Sequence, residues 1–215
     1  MKGKLLFTLS ILSVGLFGCR EDKDKLFVIA DAKEFNLSEL KVEKKIYDNA
    51  YKTNIGYVII TGIGKVKATY SLTKFLTLYG NKVNGIYNIG TAGATVNNKW
   101  GDMVECRKFV QNDYQFKKDI EKAYSFFKHD NDYTCYTTDK FITDAHTAGK
   151  FVFEMESYAL AEVANNFGFS DHFYAIKFVS DIVGQNTVEH WDKDADNLSK
   201  RLTGKMIEIS GGAGK

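Results

Sequence analysis

The chain has 215 residues, 44% of them hydrophobic and 14% aromatic, with 29 basic and 27 acidic side chains for a formal charge of +2. This size and apolar content suit one domain with a substantial buried core. The near-balanced charge, with no lysine-rich run interleaved with aromatics, argues against a nucleic-acid partner and for a small-molecule one.

The N-terminus predicts an exported protein. Lys2 and Lys4 precede an uncharged apolar stretch over 5–17, too short to span a bilayer comfortably and of the length of a signal-peptide core. It ends Leu16-Phe17-Gly18-Cys19, which resembles a bacterial lipobox. The resemblance implies removal of residues 1–18 and lipidation of Cys19, with 19–25 a charged tether and 26–215 the folded domain. The protein would then be anchored by lipid to a bacterial membrane, on the periplasmic side or the cell surface. Its contact with the membrane would be through the lipid only.

Residues 26–30 (LFVIA) read as a buried strand, and 44–51 with 56–61 as a strand pair joined through 52–54. Val66, Thr69, Leu72, Phe75, Leu76 and Tyr79 recur at helical spacing, which predicts a helix over 65–79 closed by Gly80. Strands follow over 85–89 and 103–110, then an amphipathic helix over 115–127 whose Lys117, Lys118, Glu121 and Lys122 form a solvated face. The remaining elements are a strand over 133–137, a helix over 155–167 ended by Gly168, a strand over 172–179 and a last helix over 191–209. Alternating strands and helices, with no repeat and no linker, describe one α/β domain with helices on both faces of a sheet. There is no proline anywhere, so Gly, Asn and Asp must make the turns. Cys106 and Cys135 lie in predicted strands and are expected to be buried singly, though an exported compartment permits a disulfide if the fold brings them together.

Ligands in such folds sit at the carboxyl ends of strands, and three segments with suggestive chemistry fall there. Thr61-Gly62-Ile63-Gly64-Lys65-Val66 is a glycine turn opening a helix, and 88–94 (NIGTAGA) supplies small residues after a strand. The third combines Phe153-Glu154-Met155-Glu156-Ser157 with Ser180-Asp181. Acidic residues ending buried runs are costly unless paired or functional, so carboxylates beside an apolar Met155 suit a sugar whose hydroxyls must be gripped. His129, His146, His172 and His190 are dispersed, without the spacing of a metal site; no metal or cofactor is expected.

TGIGKV, NIGTAG, TTDKFIT over 137–143, FEMES and SD, with VQND over 110–113 after Gly101-Asp102, together resemble the nucleoside phosphorylase superfamily. The resemblance is closest to its methylthioadenosine/S-adenosylhomocysteine nucleosidases, and it runs from residue 26 to the C-terminus. It implies a three-layer α/β/α sandwich with a mixed, partly barrel-like central sheet, and a homodimer. It further implies hydrolysis of the N-glycosidic bond of an adenine nucleoside, for purine salvage, without a cofactor. Asp181 matches the acid that faces purine N7, with Ser180 beside it, and Glu34 matches the base that activates water. Glu156 matches the ribose-binding carboxylate and Met155 the wall under the ribose. Phe141 and Ile142 match the pair that holds the base, Phe153 packs on the other purine face, and Thr91 lies near the water or anion site. Glu154 is expected to face elsewhere. The segment between 143 and 151 is shorter than the family's, and its Asp144, Ala145 and His146 read as a turn. A phosphorylase would need a cationic cradle, and Arg107 and Arg201 stand in no anion-binding motif. Hydrolysis is therefore favoured over phosphorolysis. The short segment and the exported location also leave a surface protein that binds nucleosides without catalysis as an alternative.

Overall fold

A computed structural model describes residues 23–95, 97–113, 123–125, 133–140, 142, 149–183 and 195–211. Cys19, Phe141, His146 and the rest of 143–148 lie outside the described residues. The strands form one mixed sheet with helices on both faces, the expected three-layer α/β/α sandwich.

The sheet is built outward from β1 (Asp24–Ile29), whose Leu26, Phe27, Val28 and Ile29 are buried on both faces, as a strand covered twice by helices requires. β1 runs parallel to β4 (Gly56–Ile60) on one side and β5 (Val83–Ala94) on the other. Antiparallel β3 (Ala50–Thr53) and β2 (Val42–Tyr47) extend the sheet beyond β4. Beyond β5, the order is β10 (Phe173–Ile182), β6 (Met103–Gln111), β8 (Tyr133–Thr137) and β9 (Phe151–Glu154). β9 then returns to pair with the far end of β5. Five strands thus close on themselves, which is the barrel-like half of the sheet. β7 (Ala123–Ser125) adds to β6.

Strand alternation divides the core. Leu26 and Val28 face α1 (Lys65–Tyr79) and α2 (Ser157–Asn166), joining Leu72, Phe75, Leu76, Leu160 and Val163. Phe27 and Ile29 face α3 (Ala195–Ser210), joining Leu198, Leu202 and Met206.

Helix α1 has the predicted bounds; its capping Gly80 is right-handed (φ −58°) and leads into a 3₁₀ turn. Other expectations are corrected by pairing across the sheet. Residues 44–51 are two strands, because Asn49 takes a left-handed conformation (φ 64°) and turns the chain back. The strand expected over 85–89 does not end before the small residues, since β5 continues to Ala94 with β10 and β9 supplying backbone partners. Ala123–Ser125 is strand rather than helix, because β6 offers these residues an antiparallel ladder that overrides their local periodicity. The other residues of that predicted helix lie outside the described ones. β1 starts at Asp24, inside the predicted tether, where Asp24 pairs with Lys52 at 2.8 Å. Cys106 and Cys135 are not buried singly. They sit on neighbouring β6 and β8 with Cα atoms 5.8 Å apart and form a disulfide.

Candidate active site

A cavity of about 250 Å³ lies where the carboxyl ends of β1, β4, β8, β9 and β10 meet the second half of β5. Every predicted site residue among the described ones lines it: Glu34, Thr91, Ile142, Phe153, Met155, Glu156, Ser180 and Asp181.

After β1 the chain makes a 3₁₀ turn over Ala32–Glu34, its start capped by Asp31, which accepts the Lys33 N–H at 3.0 Å. Phe35 is buried against the α3 core, and the Asn36 N–H donates to Thr203 Oγ1 on α3 at 3.1 Å. These anchors set the register that turns Glu34 into the cavity. Its Oε1 accepts both the N–H (2.8 Å) and the hydroxyl (2.6 Å) of Thr91. Its Oε2 is buried and has no hydrogen-bond partner among the described residues. Burial raises the Glu34 pKa, while the Thr91 bonds and the charge of Lys177 oppose the rise.

Asp181 owes its position to a bulge. Val179 pairs with Ala92 and Asp181 with Gly93, so Ser180 is the extra residue on β10. The Ser180 hydroxyl lies 2.9 Å from Asp181 Oδ1, and both residues are buried. Opposite them, a Cβ on Gly93 would come within 2.7 Å of Asp181 Oδ2. This close approach requires glycine.

At the β9–α2 junction two carboxylates two residues apart have different tasks. Glu154 Oε2 accepts the N–H groups of Glu156 (3.0 Å) and Ser157 (2.7 Å), and Oε1 accepts the Thr137 hydroxyl. Lys177 Nζ lies 3.3 Å from Glu154 Oε2. Glu154 therefore caps α2 and delays its start to Ser157, past the predicted residue 155. Burial pushes the Glu154 carboxyl up, but Lys177 and the hydrogen bonds outweigh it and the group is held below its ordinary range. Both glutamates line the cavity, Glu154 against the expectation that it faces elsewhere, and Glu156 accepts the Gly64 N–H there at 2.8 Å. Burial, with the charge of Glu154, pushes Glu156 up to about 8.

Residue-by-residue reading missed Lys177, which is only 1% exposed. The signal was present, since a lysine inside the apolar run FYAIKFV must be buried and paired. Phe153 stacks on Tyr136 with ring centroids 5.7 Å apart, leaving its other side toward the cavity it lines. Among the described residues, no three His, Cys, Asp or Glu side chains are arranged to hold a metal ion.

No protein-family model matches the chain. The 5′-methylthioadenosine/S-adenosylhomocysteine nucleosidase of Buchnera aphidicola subsp. Schizaphis graminum is 26% identical over 235 residues, covering 92% of this chain and 95% of that one. Among solved structures, S-adenosylhomocysteine nucleosidase from Streptococcus pyogenes, in complex with 5-methylthiotubericidin, superposes with a TM-score of 0.71 at 17% identity, covering 91% of this chain and 98% of that one. The futalosine hydrolase of Helicobacter pylori superposes with a TM-score of 0.70 at 16% identity, covering 88% and 97%. The chain has the fold of these enzymes.

Proposed function

We propose that this protein is an N-glycosyl hydrolase that releases adenine from methylthioadenosine, S-adenosylhomocysteine or a related nucleoside, in purine salvage. The observation that carries the reading is the seating of Glu34 on Thr91. A phosphate nucleophile would need those two donors and a cation. Here a carboxylate of the chain takes both donors, and like charge repels an anion. Arg107 pairs with Glu105, and Arg201 donates to the Gly101 carbonyl at 2.9 Å; neither lines the cavity, and Lys140, which does, is exposed at its edge. Water is the nucleophile that fits, held by Glu34 Oε2, which has no hydrogen-bond partner among the described residues.

The base sits toward Asp181, Phe153 and Ile142, and the ribose over Met155 with its hydroxyls donating to Glu156. As the C1′–N9 bond breaks, its electron pair passes into the purine, and Asp181 delivers a proton to N7. The sugar becomes cationic, and the carboxylates of Glu156 and Glu34 stabilise it. The water oxygen bonds to C1′ and gives its proton to Glu34. A base raised by burial suits this step, and the field of Lys177 helps to keep it ionised in the free enzyme.

The reading extends to an exported, lipid-anchored homodimer. The Cys106–Cys135 disulfide supports an oxidising compartment, in keeping with the apolar N-terminus and Cys19. The dimer is supported by exposed Val66 (81%) and Tyr70 (67%) on α1, beside a groove shared with Tyr158 and Val163 of α2. Palmitate labelling of the full-length chain, lost in Cys19→Ala, tests the anchor. Sedimentation of wild type and Tyr70→Glu tests the dimer.

The function itself is tested by adenine release from methylthioadenosine, S-adenosylhomocysteine, adenosine and inosine, with and without phosphate. Phosphate-independent release is expected, with adenosine preferred to inosine. Release that requires phosphate would overturn hydrolysis, and no release by the folded protein would favour a binding protein.

A further inference from the structure

Lys65 is the first residue of α1, where the positive end of the helix dipole disfavours a cation. Its ammonium is held there by two carboxylates from distant parts of the chain. Nζ lies 2.5 and 2.6 Å from the two oxygens of Asp113 and 3.5 Å from Asp139 Oδ2. The same three residues are also joined through their backbones, since the Lys65 N–H donates to Asp139 Oδ1 and the Asp139 N–H to Asp113 Oδ2, both at 3.0 Å. Asp113 is partly buried, which raises its pKa, but the bonds from Lys65 and Asp139 prevail and it is lowered.

Each arm of this clasp adjoins the cavity. Gly64, next to Lys65, donates to the sugar-binding Glu156, and its positive φ of 95° sets that N–H in place. Asp139 stands between Thr138 and Lys140, which line the cavity, and the Thr138 N–H is bound to the Glu154 carbonyl at 3.0 Å. Asp113 follows Asn112, whose N–H donates to the Thr137 carbonyl at 2.8 Å. The ends of β4, β6 and β8 therefore meet at one ammonium. Holding α1 on the sheet does not require it, because Leu72, Phe75 and Leu76 already bury that helix.

We infer that Lys65, clasped by Asp113 and Asp139, is a positioning residue that preorganises Glu156 and the cavity wall at Thr138 and Lys140 for the nucleoside. This deepens the hydrolase reading and rests on it. Without the ammonium, the Lys65 N–H bond to Asp139 Oδ1 is left to hold Gly64 to the β8 end with the charge of both aspartates uncompensated, and only a fraction of molecules present a formed sugar site. The apparent affinity for every nucleoside falls by that fraction while the chemical step is spared.

The experiment compares wild type, Lys65→Met, Asp113→Asn and Lys65→Arg in two assays: adenine release from methylthioadenosine, and calorimetric binding of an adenosine C-nucleoside, whose carbon–carbon glycosidic bond cannot be hydrolysed. Lys65→Met and Asp113→Asn are expected to raise both KM and Kd about tenfold with kcat within about threefold. Lys65→Arg, which can bridge both carboxylates, is expected to recover most of the loss. Folded variants whose KM and Kd stay within about twofold of wild type would overturn the proposal. If Lys65→Met does not fold, Asp113→Asn and Asp139→Asn decide it. Wild type that binds the C-nucleoside without releasing adenine refutes the hydrolase reading alone, and the Kd comparison still judges the clasp. Wild type that does neither refutes both.

Discussion

Thr91 donates twice to one oxygen of Glu34, through its N–H at 2.8 Å and its hydroxyl at 2.6 Å, and the other oxygen is buried with no hydrogen-bond partner among the described residues. The pair joins the turn after β1 to the middle of β5, and a side chain at Gly90 would press within 3.2 Å of the free oxygen. A carboxylate so placed takes up both Thr91 donors, and in the proposed reaction its other oxygen is the one that receives the proton of water.

Glu34→Gln keeps an acceptor for Thr91 but removes the base. Adenine release should fall by about 10² to 10⁴ in kcat, with C-nucleoside binding little changed and no acceleration by phosphate. Wild-type kcat that rises with phosphate would contradict the assignment.

Asp181→Asn should lower kcat by a similar factor of about 10² to 10⁴ by removing the proton donor. Gly93→Ala tests the same group without touching it. Its Cβ would come within 2.7 Å of Asp181 Oδ2 and 3.1 Å of Val183 Cγ2, so the carboxyl must swing aside. Loss of kcat with an almost unchanged melting temperature is expected. Full turnover in Asp181→Asn would remove it from the mechanism.

Glu156 titrates at about 8 in the fold against an ordinary value of 4.5. The native state therefore holds a proton that the unfolded chain releases between those values. The stability this contributes is complete below 4.5 and is lost as pH rises through about 8. Glu34, also raised, acts in the same direction. Glu154, lowered, acts in the opposite one and loses its contribution in acid. Thermal melts of Glu156→Gln should show a weaker decline toward alkaline pH than wild type. Because the ribose hydroxyls need an ionised acceptor, nucleoside binding at neutral pH should release a proton. Calorimetry in buffers of different ionisation enthalpy measures it, and a binding heat independent of buffer would refute it.

Removing the Cys106–Cys135 bridge frees a loop with a sequence separation of 29. Replacing both cysteines by serine should destabilise the protein by about 2 to 4 kcal/mol, read from denaturant midpoints. Since the bridge joins β6 to β8, whose ends carry Asp113 and Thr138, reduction is also expected to raise KM. Equal stability with and without reductant would show that the bridge is absent in solution.

The site segments were legible because strand-to-helix junctions carry local marks: glycines at 62 and 64, and acids closing apolar runs at 154, 156 and 181. The roles of the two neighbouring glutamates were only half legible. Alternation along an extended segment predicts that Glu154 turns away from the ligand, whereas the residue lines the cavity beside Glu156. Nor does alternation predict that Thr137 and Lys177, brought in by β8 and β10, convert Glu154 into a cap for α2. Ser180-Asp181 was visible as an acid after an apolar run, but the bulge that aims it exists only against β5.

What the sequence determined by itself was what a short window of chain can encode. The bounds of α1 follow from apolar residues at helical spacing, and β1 and β8 follow from apolar, β-branched runs. The alternation of Leu26 and Val28 with Phe27 and Ile29 assigns them to opposite cores. Only the tertiary structure decided what depends on a partner far along the chain. It made a strand of Ala123–Ser125, a disulfide of two cysteines and a clasp of Lys65. It also turned Glu34 into the cavity by docking its neighbours on α3. Periodicity is local, whereas backbone pairing, burial and the charge state of a carboxylate are set by groups close in space, whatever their separation in the chain.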